Sequence, residues 1–254
     1  MFKLILGIDQ TGATDKKGKP KKLHCTLIDA RKVHQSKKMN VYPNLYLEKL
    51  NFESINQLIT NHVKDFKNQP VLICIDTAFG LPLQLNVSYK KIFETSKNYQ
   101  FEGKSYGALT AFHFFNSFKN TSTSQKRKVE IITNANSVFN LKPFQRNIGC
   151  GSYRSIKDLA ENMNWFNLWP FQTIKKQFVI AEGYPSHIWK NLLNIKTRDL
   201  NLLKKAFPDL SFKTTDHADS FVLAFGALKY QNQIFKKIPS TAKKEGWILG
   251  VPFE

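Results

Sequence analysis

Apolar positions fall into two patterns along the chain. Short continuous runs predict buried strands at Phe2–Asp9, Leu23–Ala30, Pro70–Asp76 and Gln177–Glu182. Val41–Lys49 is a further strand candidate interrupted by Pro43. Phe52, Ile55, Leu58, Ile59, His62, Val63 and Phe66 recur at helical spacing behind Asn51, a candidate cap. Helical patterns also cover Tyr106–Phe118, Ser155–Met163, Ser186–Leu193, Asp199–Phe207 and Asp216–Tyr230. Val129–Thr133 and Gly246–Val251 read as strands, whereas Gln10–Lys22 and Asn120–Lys128 read as loops. This order predicts an α/β chain with an open, mixed sheet. Residues 1–254 read as one domain, without an internal repeat.

Composition narrows the class. The chain has 254 residues, of which 42% are hydrophobic and 13% aromatic, enough to build a core. No apolar run reaches the ~18 residues of a membrane span, and the short apolar start lacks the flanks of a signal peptide. Cys25, Cys74 and Cys150 are odd in number and lack zinc-ligand spacing. A cytoplasmic protein without a membrane partner is expected. The formal charge is +19, from 38 Lys and Arg against 19 Asp and Glu. That excess favours polyanions such as DNA or RNA, although a Lys-rich composition alone would also produce it. Basic residues cluster at Lys16–Lys22, Arg31–Lys38, Lys119–Lys128 and Lys236–Lys244, none forming an amphipathic membrane helix.

The scarce acids carry more information. Asp9, Asp76 and Glu182 each end an apolar run, and Asp216 and Asp219 share a face at the start of the last long helix. Burying a carboxylate is costly unless something compensates it. Each has a plain alternative: a strand-end Asp serves turns, and Asp216 could cap its helix. One metal site accounts for all of them together. Converging carboxylates suit Mg²⁺ or Mn²⁺, and two such ions can clamp the attacking and leaving oxygens of a phosphodiester.

Gly7-Ile8-Asp9, Ile75-Asp76 followed by Phe79-Gly80-Leu81-Pro82, Glu182-Gly183-Tyr184-Pro185, Asp216-His217-Ala218-Asp219 and Glu245-Gly246-Trp247-Ile248 together resemble the predicted RNase H-like nucleases, a domain-of-unknown-function family. The last-helix motif also resembles that of RuvC-type resolvases. The resemblance spans nearly the whole chain and rests on the order of short motifs. It implies a mixed five-stranded RNase H-like sheet flanked by helices, and metal-dependent phosphodiester cleavage. Asp9, Asp76 and Asp219 (or Asp216) would be metal ligands, with Glu182 in a less defined role. Arg146 and Arg154 would contact phosphate, and His217 is a candidate for proton transfer. The aromatic and basic stretch 88–128 falls outside a minimal core and reads as a helical or irregular insertion. Two other classes fit parts of the chain. Gly7–Gly12 resembles the phosphate loop of the actin and sugar-kinase superfamily. A non-catalytic nucleic-acid- or partner-binding protein could use the same scaffold.

Overall fold

A computed structural model describes residues 1–10, 14–15, 18–31, 39–119, 125–140 and 148–253. Six strands form one mixed sheet: β1 (Leu4–Asp9), β2 (Leu23–Asp29), β3 (Asn40–Leu47), β4 (Val71–Asp76), β5 (Phe166–Leu168) and β6 (Phe178–Gly183). Their order is β3-β2-β1-β4-β6-β5. β1, β2 and β3 form an antiparallel meander, whereas β4, β6 and β5 continue parallel to β1. The α/β class and the mixed sheet agree with the sequence reading, but the strand count is six rather than five. β5 escaped because three residues are too few to show a period.

The helices among the described residues are α1 (Phe52–His62), α2 (Tyr89–Lys97), α3 (Ala108–Asn116), α4 (Lys128–Thr133), α5 (Ile148–Ala160), α6 (Pro185–Asn191), α7 (Leu200–Ala206), α8 (Thr215–Tyr230) and α9 (Ser240–Glu245). Asn51 caps α1 as expected, its Oδ1 accepting from Ser54 N at 2.9 Å. None of the helices is long and apolar enough to cross a membrane. Stretch 88–128 contains α2 and α3, which pack on α5. The three cysteines are buried.

Two sequence expectations are corrected, and a third holds. Val129–Thr133 is the body of α4, not a strand. Its β-branched residues favour a strand locally, but Glu130 Oε2 accepts from the Arg127 backbone N at 2.9 Å and closes a first helical turn. Gly246–Val251 is not a strand either. It touches the sheet through one bridge, Ile248 to Glu182, because Gly246 and Gly250 turn the chain at φ +83 and +97. Pro43 does not exclude β3, because that strand lies at the sheet edge and is bulged opposite Cys25–Leu27.

Strand alternation sorts the side chains onto two faces. Leu6, Ile8, Ile73, Ile75 and Ile180 face a core shared with α1, α2, α3 and α5. Ile5, Leu72, Cys74, Val179 and Ala181 face a second core beneath α6 and α8. Helix α8 lies directly on β1 at Gly7. A Cβ there would stand 2.0 Å from the Ser220 carbonyl oxygen and 2.5 Å from Ala224 N. Thr26, opposite Gly7 on β2, adds a hydroxyl contact to Ser220 at 2.9 Å. Gly7→Ala must push the helix off the sheet and is expected to cost at least about 2–3 kcal/mol. Chemical denaturation measures it, and an unchanged midpoint would contradict the contact.

Candidate metal centre

The same alternation places the acids. Asp9 follows Ile5 and Gly7 on the α8 face, and Asp76 follows Leu72 and Cys74 on that face. Both stand at the C-terminal ends of adjacent parallel strands, where open α/β sheets gather functional groups. Helix α8 enters from above, capped by Thr214, whose Oγ1 accepts from His217 N at 3.3 Å. Asp216 is therefore not the cap. It heads the stripe Asp216, Ser220, Ala224 that lies over β1 and β2. Asp219 sits on the neighbouring stripe with Leu223, above Gly183 of β6. Asp9, Asp76 and Asp216 line a cleft of about 400 Å³, together with Gln10, Tyr184, Ser186 and Arg198.

Asp219 is 1% exposed, and both of its oxygens are engaged. Oδ1 accepts from Trp189 Nε1 at 2.6 Å, and Oδ2 pairs with Arg198 Nη1 at 2.8 Å. Arg198 also donates from Nη2 to Ser186 Oγ at 3.2 Å. The acids resist ionisation together. Burial pushes Asp9 well up from the usual carboxylate range, and the charges of Asp76, Asp219 and Asp216 add to it. Burial and then the charge of Asp219 push Asp76 up to about 7. Burial pushes Asp219 up to about 6, against the opposing pull of Arg198 and Trp189.

These directions fix a pH dependence. A carboxyl that holds its proton more tightly when folded stabilises the fold at low pH. That stability is lost as pH rises from about 4 through 6–7. In EDTA, the melting temperature is expected to fall across that window, and Asp76→Asn is expected to flatten the fall by about 1–3 kcal/mol. Parallel wild-type and variant curves would remove the proposed repulsion.

His24 joins this group, a residue that sequence reasoning missed. It is the direct cross-strand partner of Asp9, so both side chains share the α8 face. One donor atom from each of Asp9, His24 and Asp216 lies within 4.8 Å of the other two. His24 Nδ1 is 3.6 Å from Asp216 Oδ2 and, although buried, has no hydrogen-bond partner. Burial holds the imidazole below its ordinary value despite the opposing charge of Asp216. His24 stands among 6 histidines without a spacing motif. Only the strand register identifies it.

The other expected residues lie elsewhere. Glu182 follows Phe178 and Ile180 and so points to the opposite face, while Gly183 occupies the position beside Asp76. Glu182 is fully buried on Arg127, whose Nη1 contacts its two oxygens at 2.9 and 2.7 Å. Phe79 N donates to Glu182 Oε1 at 2.8 Å. Arg127 Nε reaches Glu130 Oε1 at 2.8 Å, and Nη1 reaches the Glu245 carbonyl oxygen at 3.0 Å. Glu245 in turn accepts from Leu83 N at 2.6 Å and Lys128 N at 2.8 Å. The end of β6, the segment after β4 and the turn at Gly246 thus meet around one buried arginine. In the sequence Arg127 looked like part of a basic surface loop, and only its proximity to Glu130 hinted otherwise.

Arg154 is 2% exposed, inside the core beneath α5, and donates to the Glu48 carbonyl oxygen at 3.2 Å. It does not line the cleft. Arg146 lies outside the described residues, as do parts of the Lys16–Lys22, Arg31–Lys38 and Lys119–Lys128 stretches. His217 packs between His24 and Tyr46, with its Nδ1 2.9 Å from Thr214 Oγ1. It is fully buried and does not line the cleft, and burial pushes it down to about 4. The donor set of oxygens and one imidazole fits a hard to borderline divalent cation. No protein-family model, curated protein or solved structure matches the chain.

Proposed function

We propose that this protein is a metal-dependent nuclease that hydrolyses phosphodiester bonds of DNA or RNA on an RNase H-like fold. One observation carries the reading: Asp9 and Asp76 on adjacent strands and Asp216 on α8 line one cleft, with the buried Asp219 close enough for its charge to act on Asp9 and Asp76. The cost of burying these like charges calls for a compensating cation. The antiparallel meander followed by parallel strands agrees with an RNase H-like sheet. The net charge of +19 suits a polyanionic substrate.

In this reading Asp9, Asp76 and Asp216 hold Mg²⁺ or Mn²⁺ at the mouth of the cleft. Bound there, a divalent cation supplies Lewis acidity toward a phosphoryl oxygen. Arg198 faces the same cleft and offers a planar donor fork to a phosphate. Arg127 forms part of the cleft wall and is held there by Glu182 and the Glu245 carbonyl. The test is cleavage of single-stranded, duplex, hybrid and branched DNA and RNA with Mg²⁺ or Mn²⁺, against EDTA controls. Cleavage that needs the metal is expected. Salt-sensitive binding that persists in EDTA, with every substrate left intact, would replace this reading with a non-catalytic one.

A further inference from the structure

We propose that a single first-row transition ion such as Mn²⁺ sits beside the cleft on Asp9, His24 and Asp216, and that Arg198, fixed on Asp219, supplies the second positive charge. This rests on the nuclease reading only for the presence of a cation, and it changes the ligands and the ion count.

Three observations lead to it. The strand register pairs Asp9 with His24, and α8 brings Asp216 over both, so that their donor atoms fall within 4.8 Å of one another. His24 Nδ1 is buried without a hydrogen-bond partner, which leaves a polar atom facing Asp216 with nothing to satisfy it. An imidazole among carboxylates disfavours Mg²⁺, which takes oxygen ligands and water, relative to transition ions. Asp219, for its part, is already committed. Trp189 donates to one oxygen from a buried indole that has no other protonation state to offer, and Arg198 pairs with the other. A second ion beside Asp219 would have to displace a guanidinium that Ser186 also holds. Arg198 is a guanidinium held on two sides, by Asp219 and by Ser186. It can therefore serve as a fixed cation beside one exchangeable ion.

The probe is Mn²⁺ itself, titrated by calorimetry and by electron paramagnetic resonance. One ion per chain is expected, with pulsed-resonance nitrogen modulation from a single imidazole. His24→Ala should remove the modulation and weaken Mn²⁺ binding on the order of 10-fold or more. Asp219→Asn should keep one ion per chain and weaken it less than Asp9→Asn does, since Trp189 and Arg198 already hold both of its oxygens. If His24→Ala does not fold, His24→Gln serves, and the wild-type nitrogen signal is decisive alone. Two ions per chain, no nitrogen modulation, or an Asp219→Asn loss equal to that of Asp9→Asn would overturn the proposal. Those outcomes leave metal-dependent cleavage standing. A protein that binds no Mn²⁺ loses both readings.

Discussion

Asp9→Asn is expected to abolish metal-dependent cleavage, by at least on the order of 100-fold, while the protein in EDTA melts no lower than the wild type. The two effects share one cause. Asp9 is 7% exposed and surrounded by Asp76, Asp219 and Asp216, so in the absence of a cation its charge is unfavourable. Asn keeps the shape and removes the charge, which relieves repulsion and deletes a ligand at once. A turn or cap role predicts the reverse, because losing a structural carboxylate lowers the melting temperature. Single-turnover cleavage and thermal melts on the same preparation separate the cases. A variant that melts clearly lower in EDTA would return Asp9 to a structural role.

Arg127→Met is expected to destabilise the fold by about 3–5 kcal/mol. At this chain length that corresponds to a fall of roughly 10 °C in melting temperature. The arginine itself is not the main loss. Glu182 and Glu130 are 0% and 2% exposed, and without the guanidinium two buried carboxylates face each other uncompensated. Glu182 already holds its proton more tightly than usual because it is buried, and Arg127 opposes that shift. Removing Glu182 and Glu130 as well, through Leu and Met, is expected to recover most of the loss, because an apolar cluster of similar volume tolerates the site. Glu182→Gln should leave Mn²⁺ affinity unchanged. A specific loss of Mn²⁺ binding in that variant would restore Glu182 as a ligand.

The sequence announced the strands through runs such as Val71-Leu72-Ile73-Cys74-Ile75, and it marked Asp9 and Asp76 because each breaks such a run. It could not separate Glu182 from them. All three residues end an apolar strand, and the difference is one of parity. Glu182 pairs with the level of Ile75, while Gly183 lies at the level of Asp76, and that register is set by tertiary contacts. His24 was hidden for the same reason, since its pairing with Asp9 depends on the length and path of the chain between β1 and β2. Asp216 and Asp219 were legible as neighbours on a helix, but their different partners were not. Trp189 and Arg198 come from a separate segment, and no local pattern ties them to Asp219. The helix at Val129–Thr133 defeated propensity because a buried ion pair outweighed five residues of local preference.

The contact of α8 with Gly7 also governs the order of events during synthesis. Asp9 is translated before the groups that complete its surroundings, which follow in the order Asp76, Arg198, Asp216 and Asp219. The close approach of Ser220 and Ala224 to Gly7 seats Asp216 above β1, with Asp219 on the neighbouring stripe. A nascent chain that stops short of α8 therefore carries the first strand without any assembled cleft. If the protein cuts nucleic acid, it does so only after α8 has been translated, and truncation products ending before residue 216 should be inert toward the messenger from which they emerge.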